Sequence, residues 1–383
     1  MTTKCPSCFN ELLSDATWFR CTGQCAEEKD DRATVYRGHD IVARPVFAIR
    51  HAPAAVVEHG GCPACSTVSR RHVCGLCHAD LPPGWRSTTT TCVALAGARY
   101  SGKSVFIGVL VRQLRALLAQ SNSVLTALSA ETEQLYTARY EQALFTERQI
   151  PVATPPQRRG DAQYAHAASL VYVLTPPGHP RHVLVIRDVA GEDLQKPEID
   201  EYLFSFFAHA DGVVFMVDPM QVRTISQQLA GRLDWQGAHT DDPLKVLANL
   251  ARLRARIPGA RPVPLALTLA KFDALHALED VEGSPLQPAM RNHGASYLRD
   301  PSMDSWHYDE ADGDLLDVEL QSLITSINGA NLLNYARNAF PIVRCFAVSA
   351  LGHHPDATRL GRSGITPFRC LDPVKWIMSR PAA

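Results

Sequence analysis

Short apolar runs rich in β-branched residues recur from residue 91 onward, separated by turn residues and longer polar stretches. Runs of this kind predict buried strands, and they lie at 91–96, 169–175, 182–187, 212–219, 264–270 and 342–348. Between several of them leucine and valine recur at helical spacing, as in 105–118, 244–253 and 315–327. Strands alternating with helices predict an α/β protein, a mostly parallel sheet between two helical layers.

The first run ends in a glycine-rich loop that matches the phosphate-binding pattern G-x-x-x-x-G-K-[ST] at every fixed position. This P-loop consists of Gly97, Ala98, Arg99, Tyr100, Ser101, Gly102, Lys103 and Ser104. A strand, a glycine turn and a helix would direct backbone N–H groups at a phosphate. In that geometry Lys103 reaches the β- and γ-phosphates, and the Ser104 hydroxyl ligates Mg²⁺. The pattern therefore predicts a nucleoside-triphosphate site.

A second motif follows a predicted hairpin. The connector 176–180 is too short for a crossover helix, so the strands on either side of it must be antiparallel. The second strand leads into Asp188-Val189-Ala190-Gly191, a D-x-x-G sequence. A hairpin leading into D-x-x-G resembles the TRAFAC class of P-loop GTPases. The resemblance implies that Asp188 holds Mg²⁺ through water and that the Gly191 N–H contacts the γ-phosphate.

Two further residues are candidates for a nucleotide-dependent switch. Such a switch needs a threonine between the P-loop and the hairpin, and Thr154 lies there in a helix-free segment. Ras-like GTPases carry glutamine after the D-x-x-G glycine, where this chain has Glu192. A carboxylate there would orient water but adds negative charge near a triphosphate, so hydrolysis is expected to be slow or partner-dependent. Lys103, Thr154 and Glu192 are the predicted catalytic residues, and Arg99 is either a charge stabiliser or a solvent-facing loop residue.

The base is expected to bind after the fifth and sixth predicted strands. Ala270-Lys271-Phe272-Asp273 resembles the guanine-binding [NT]-K-x-D signature of the same class, with alanine in place of the usual asparagine or threonine. The resemblance implies that Asp273 accepts hydrogen bonds from guanine and that the Lys271 stem packs on the base. Adenine would leave that carboxylate without donors, which favours GTP over ATP. Ser349, Ala350 and Leu351 resemble the segment whose backbone contacts the guanine carbonyl.

Composition describes an ordinary globular protein of 383 residues, with 46% hydrophobic residues and a net charge of −1. That charge gives no general attraction to nucleic acid or to an anionic membrane. The sequence has no apolar run long enough to span a bilayer, and its N-terminus lacks the apolar core of a signal peptide. A cytoplasmic protein without membrane contact is the expectation, and its cysteines call for a metal explanation before a disulfide one.

The first 84 residues form a distinct cysteine-rich head. Its cysteines occur as close pairs that suit two tetrahedral zinc sites, and they are Cys5, Cys8, Cys21, Cys25, Cys62, Cys65, Cys74 and Cys77. Two structural zinc ions are therefore predicted. Sharing between sequential pairs needs only short loops, and an arrangement in which the first pair shares a metal with the third stays open. Stretches 33–36 and 45–49 can supply strands between the sites. Because basic and acidic residues nearly balance in the head, protein docking is favoured over nucleic-acid binding.

The remainder, residues 85–383, is predicted to be one P-loop GTPase domain with helical insertions at about 119–150, 221–260 and 275–338. A zinc-ribbon-like head followed by these GTPase motifs is similar to bacterial double-GTPase-like families of the TRAFAC class. Those families are associated with multi-component conflict systems such as antiviral loci, which implies protein partners.

Three functions follow in order of preference. The first is a GTP-binding, slowly hydrolysing switch that works within a multi-protein bacterial conflict or defence system. The second is a non-hydrolysing nucleotide-binding adaptor that docks proteins through the head. The third is an ATP-dependent protein associated with nucleic acid, which salt-sensitive DNA or RNA binding would support.

Overall fold

The computed structural model describes residues 3–53, 55, 57–160, 169–176, 178–230, 241–353, 360 and 364–380. Part of the expected helical insertion at 221–260, namely residues 231–240, lies outside the described residues. In the described part of the chain, no helix is both long and apolar enough to cross a membrane.

The cysteine-rich head contains short strands and one helix. They are β1 (Ala16–Arg20), β2 (Glu28–Lys29), α1 (Asp31–Arg37), β3 (Val42–Ala43), β4 (Val46–Arg50), β5 (Gly60–Gly61), β6 (Val68–Ser69) and β7 (His72–Val73). Strand β1 lies between β4 and β7 and is antiparallel to both. The strands β2 and β3 form one further pair, and β5 and β6 form another.

The expected strand at 33–36 is wrong, because those residues belong to helix α1. The Asp30 side chain accepts a hydrogen bond from the Ala33 N–H at the start of the helix. At the other end Gly38 adopts the left-handed conformation and its N–H bonds to the Thr34 carbonyl. Both are strong helix caps, and they outweigh the β-branched residues between them.

A seven-stranded sheet forms the centre of the rest of the molecule, in the order β14-β13-β12-β8-β11-β10-β9. Its strands are β8 (Thr89–Gly97), β9 (Thr126–Ala127), β10 (Leu170–Leu174), β11 (His182–Arg187), β12 (Gly212–Val217), β13 (Leu265–Leu269) and β14 (Val343–Ala347). Strand β10 is antiparallel to both of its neighbours, and the other neighbouring pairs are parallel. The α/β class with one antiparallel strand is confirmed.

Helices cover both faces of this sheet. They are α2 (Lys103–Ala119), α3 (Ala130–Tyr136), α4 (Gly191–Gln195), α5 (Arg223–Gln228), α6 (Pro243–Arg256), α7 (Asp273–His276), α8 (Gln287–Met290), α9 (Glu310–Ser326), α10 (Ala330–Ala339) and α11 (Asp372–Ser379). Single turns of 3₁₀ helix lie at Trp85–Ser87, Ser205–Ala208, Pro219–Gln221, Ala277–Asp280 and Ser296–Leu298. Successive residues of β8 alternate between two cores: Cys92 and Ala94 pack beside α6 and α9, whereas Val93 packs beside α2 and α11. This alternation places the sheet between two helical layers.

The expected helical insertion at about 119–150 is helical over only part of its length. It contains the edge strand β9, then α3, which continues as a π-helix over Thr137–Thr146. Gly108 of α2 makes the close approach possible, because a Cβ there would lie 2.5 Å from a Leu144 methyl group. The Tyr136 hydroxyl donates to the Gly108 carbonyl at 2.9 Å.

The head shares its core with the rest of the molecule. Buried Phe9 packs edge-to-face on Phe206, with ring centroids 5.5 Å apart. The Lys4 ammonium donates to the His209 carbonyl at 2.8 Å and forms a buried ion pair with Asp211. Apolar and charged contacts therefore fix the base of the head to the segment that precedes β12.

Candidate nucleotide site and metal centres

The P-loop is a tight turn between β8 and α2, and its backbone conformation and close contacts require glycine at two positions. Gly97 has φ +146°, and a Cβ there would lie 2.4 Å from the Met216 carbonyl oxygen. Gly102 adopts a left-handed conformation with φ +89° immediately before α2 begins at Lys103. Only glycine takes such conformations at low cost. The loop therefore ends at the N-terminus of a helix of 17 residues, where free N–H groups favour a phosphate.

Lys103 is buried beneath the loop. Its ammonium donates to the Gly97 carbonyl at 3.0 Å and to the Ala98 carbonyl at 2.8 Å. Burial lowers the pKa of Lys103 to about 8, although the Asp188 carboxylate opposes this shift. A ligand with several negative charges would stabilise the protonated amine, so the side chain is suited to a phosphate.

A cavity of about 250 Å³ opens above the P-loop and gathers most of the predicted site residues. Those that line it are Arg99, Tyr100, Ser101, Gly102, Lys103, Ser104, Thr154, Gly191, Glu192, Lys271, Asp273, Ala350 and Leu351. The other predicted residues, Gly97, Ala98, Asp188 and Ser349, lie behind this lining and hydrogen-bond to members of it.

The three predicted magnesium ligands meet at one side of the cavity. The hydroxyl oxygens of Ser104 and Thr154 are 3.2 Å apart, and Thr154 donates to the Asp188 carboxylate at 2.7 Å. Neighbouring oxygens around an octahedral Mg²⁺ are about 3.0 Å apart, so the donor atoms and their spacing fit this ion. Burial raises the pKa of Asp188, while the Lys103 charge opposes the increase.

Switch II, defined as residues 188–196, lies directly against the P-loop. A Cβ on Gly191 would lie 2.4 Å from the Arg99 backbone nitrogen, so only glycine fits this contact. Next to it, the Arg99 Nε atom lies 3.0 Å from a Glu192 carboxylate oxygen. The Arg99 guanidinium also stacks over the Tyr100 ring, 4.8 Å from its centroid. Arg99 therefore offsets the negative charge of Glu192 beside the phosphate region.

The opposite end of the cavity carries the predicted base-binding residues. Lys271 forms an ion pair with buried Asp218 at 2.6 Å. The Ser349 hydroxyl donates to Asp273, while the Gly352 N–H donates to Ser349 at 2.9 Å. These bonds hold the carboxylate in place and leave it with accepting capacity toward the cavity.

Sequence reasoning missed two acidic residues that position this site. Asp218, which follows β12, fixes the Lys271 ammonium. Asp193, next to Glu192, accepts from the Gln157 N–H at 2.8 Å and pairs with Lys196 at 2.6 Å. It therefore ties switch II to switch I, defined here as residues 150–160. The position of Asp218 after a buried strand was an available signal, whereas nothing in the sequence indicated the role of Asp193.

The eight cysteines form two clusters, but neither pairing considered from the sequence is correct. The inner cysteine cluster is Cys5, Cys8, Cys74 and Cys77, and the outer cysteine cluster is Cys21, Cys25, Cys62 and Cys65. The antiparallel pairing of β1 with β7 explains the nesting. The pair before β1 meets the pair after β7, and the pair after β1 meets the pair before β7.

The spacing of the sulfur atoms fits tetrahedral zinc. Sγ–Sγ distances between the paired segments are 3.6 and 3.8 Å in the inner cluster and 3.5 and 3.8 Å in the outer cluster. Four sulfur atoms bound to one zinc ion at about 2.3 Å lie about 3.8 Å from one another. The two sulfur atoms of a disulfide are only about 2.05 Å apart. In the outer cluster the Gly23 N–H donates to Cys21 Sγ at 3.3 Å, and a Cβ on Gly23 would lie 2.2 Å from Thr67 Oγ1.

Comparison with known proteins identifies the family. The family model described as Double-GTPase 2 matches residues 91–315, more than half of the chain. This chain belongs to the Double-GTPase 2 family. A protein of Mycolicibacterium smegmatis, named as an ESX-1 scaffolding and assembly protein, SaeC, is 39% identical over 389 residues, which cover 98% of each chain.

Two solved structures are similar to this Double-GTPase 2 chain, each at 12% identity and a TM-score of 0.26. One is a bacterial selenocysteine-specific elongation factor, EF-Sec, with coverage of 70% of this chain and 27% of that one. The other is the Arl6 BBS3 small GTPase from Trypanosoma brucei with bound GppNp, with coverage of 76% and 96%.

The Double-GTPase 2 match includes the P-loop, both switch segments and the Lys271–Asp273 region. The Ser349 loop and both cysteine clusters lie outside it.

Proposed function

We propose that this protein is a GTP-binding switch that hydrolyses its nucleotide slowly and works within a multi-protein assembly. The single observation that carries the proposal is the cavity between Lys103 and Asp273. One end presents a buried ammonium and the N-terminus of α2, which suit phosphates. The other end presents a fixed carboxylate, which suits the N–H donors of guanine.

Magnesium fits the oxygen donors at the phosphate end. Ser104 and Thr154 would hold the ion with Asp188, and the ion would supply charge neutralisation for the triphosphate. Lys103 would place its charge beside the β- and γ-phosphates, and the N–H of Gly191, which lines the same cavity, would contact the γ-phosphate. The two cysteine clusters would each hold one structural zinc ion.

Slow hydrolysis is proposed because the residue next to Gly191 is already engaged. Glu192 is paired with Arg99, so its carboxylate must leave that ion pair before it can orient a water molecule. A partner that attracts Arg99 would free Glu192 and increase the rate. Thr154 would contribute by closing switch I over the phosphates, which excludes bulk water.

The assembly role draws on the relative named as an ESX-1 scaffolding and assembly protein, which matches this chain along 98% of its length. A nucleotide switch can control assembly, because a partner that binds one conformation shifts the population toward it. A role in a conflict or defence system, membership of the TRAFAC class and a cytoplasmic location stay predictions. The cysteine-rich head is the proposed docking module.

A non-hydrolysing adaptor is the second candidate, favoured by the Arg99–Glu192 ion pair and by the scaffolding name of the relative. Single-turnover phosphate release from purified, zinc-loaded protein separates the two. The switch releases phosphate in a Mg²⁺-dependent manner, whereas the adaptor binds GTP and releases none.

Equilibrium titration with GTP and ATP, each with Mg²⁺, tests the nucleotide site itself. We expect GTP to bind more tightly than ATP, and zinc quantitation on the same sample to give two ions per chain. Tighter binding of ATP, or binding of neither nucleotide, would reject the proposal.

A further inference from the structure

Switch I bridges the nucleotide cavity and the cysteine-rich head. Near its start, Thr154 lies in the cavity and hydrogen-bonds to Asp188. In its middle, the Gln157 N–H donates to Asp193 of switch II. At its end, Arg159 and Gly160 contact helix α1 of the head. One continuous segment therefore joins the predicted magnesium ligands to the head.

The contact with the head uses the free carbonyls at the C-terminal end of α1. The Gly160 N–H donates to the Gly38 carbonyl at 2.6 Å, and the Arg159 guanidinium donates to the Val35 carbonyl at 3.2 Å. Carbonyls at a helix C-terminus lack partners within the helix and carry partial negative charge. They are therefore suited to receive a backbone N–H and an arginine.

Arg159 also connects this contact to the chain beyond switch II. Its guanidinium pairs with both carboxylate oxygens of Asp200, at 2.5 and 2.9 Å. Asp200 accepts the Tyr202 N–H at 3.0 Å, and the Tyr202 ring lies edge-on to Tyr36 of α1 with centroids 5.6 Å apart. Helix α1 thus contacts both the end of switch I and the chain that follows switch II, and Arg159 lies where these two segments meet.

The other end of α1 is tied to the inner cysteine cluster. His78, which follows Cys77, places Nδ1 2.8 Å from the carboxylate of Asp30, the residue that caps α1. Arg20 donates both to Asp30 at 3.1 Å and to the His78 carbonyl at 3.0 Å. Ordering of α1 therefore depends on contacts at both ends, with a cysteine cluster at one and switch I at the other.

The base of the head is fixed independently of switch I. The Arg187 guanidinium donates to the Ser7 carbonyl between two inner-cluster cysteines and stacks on Phe206. The Ser169 hydroxyl donates to the Pro6 carbonyl at 2.7 Å. These contacts hold the inner cluster in place, so a change in switch I would reach the head through α1 and would not detach the head.

We propose that α1 is an internal sensor of switch I: nucleotide binding orders switch I, and Arg159 transmits that order to the cysteine-rich head. The inference rests on the proposed GTP site and adds the route by which the head receives its signal. A ligand that draws Thr154 toward the phosphate end stabilises the arrangement described above. By linkage, it also stabilises the contact of Arg159 with α1.

Hydrogen–deuterium exchange of the full-length, zinc-loaded protein tests this route. The α1 amides are compared with and without a non-hydrolysable GTP analogue and Mg²⁺, and calorimetry on the same samples measures analogue binding. The variants are Arg159→Ala, Asp200→Asn as a second way to weaken the junction, and Arg158→Ala as a matched control at the adjacent exposed arginine. Zinc content verifies that each variant is folded.

In wild type and Arg158→Ala, the analogue is expected to slow exchange of the α1 amides about fivefold or more, the lower range of allosteric couplings. Arg159→Ala and Asp200→Asn are expected to bind the analogue and to lose this slowing. The inference is overturned if wild type binds the analogue without a change at α1, or if Arg159→Ala keeps the full effect. Absence of analogue binding to wild type would instead reject the proposed GTP site, and the inference with it.

Discussion

Replacing Lys103 by methionine tests the phosphate end of the cavity most directly. The side chain is buried, and its ammonium donates to two P-loop carbonyls at 3.0 and 2.8 Å. Methionine keeps the length and apolar character of the chain but removes the charge. Because methionine fills nearly the same space, the substitution removes the charge that would bind phosphate without opening a large cavity.

The expected magnitude follows from burial and from the pKa of Lys103. Removing one member of a buried, hydrogen-bonded charge pair costs about 2–5 kcal/mol, which weakens GTP binding about 30-fold or more. The free protein has a Lys103 pKa of about 8 because burial disfavours the charged amine. A bound triphosphate raises that pKa, so binding takes up a proton above pH 8. Wild-type GTP affinity should therefore fall about tenfold from pH 7 to pH 9.

Fluorescence titration with a labelled GTP analogue and Mg²⁺ at intervals between pH 7 and pH 9 measures both effects. Lys103→Met should bind weakly at pH 7 and show little dependence on pH. Lys245→Met is the matched control, because Lys245 is exposed on α6, and it should behave like wild type. The reasoning is refuted if Lys103→Met binds within threefold of wild type at pH 7, or if both proteins show the same pH dependence.

Three further outcomes are expected. Asp273→Asn should weaken GTP binding about tenfold or more, which is the contribution of hydrogen bonds to a charged group, and should change ATP binding little. Equal losses of GTP and ATP affinity in competition titrations would contradict recognition of the base by Asp273. Gly23→Ala should reduce the zinc content from two ions to one per chain, because the added Cβ would collide with Thr67 and Cys65 beside the outer cluster. Gly61→Ala is the control and should keep both ions, because a Cβ there meets nothing within 4 Å. Two retained ions in Gly23→Ala would argue against the outer site. Glu192→Ala should free Arg99 and slow single-turnover hydrolysis about a hundredfold, because no side chain remains there to orient water, and an unchanged rate would remove Glu192 from the catalytic residues.

The sheet could be predicted from the sequence because its signals are local. Each buried strand is a short apolar run, and the five-residue connector 176–180 leaves no room for a crossover helix. The helix at 31–37 escaped prediction because its caps, Asp30 and Gly38, outweigh the β-branched residues inside it. Strand β9 escaped because its two residues gain their order from pairing with distant β10.

In the candidate site, too, the residues with local sequence signals were predicted and those that depend on distant contacts were not. Residues within contiguous motifs were predicted, and the structure places them around one cavity. Residues that act through tertiary contacts were missed: Asp193 binds a switch I amide that is 36 positions away in the chain, and Asp218 pairs with Lys271 at a separation of 53. Sequence spacing contains no information on such contacts, because only the folded chain brings those segments together.

The nested cysteine clusters connect the head to the GTPase core more closely than sequential clusters would. Sequential sharing would leave each site within one short loop, free to fold apart from the remainder of the chain. Nesting instead requires Cys5 and Cys77, near the two ends of the head, to meet beside Phe9 and Phe206. Loop closure over that length costs entropy, which burial in a shared core offsets. Loss of the inner metal should therefore disturb the GTPase core, whereas loss of the outer metal should remain local.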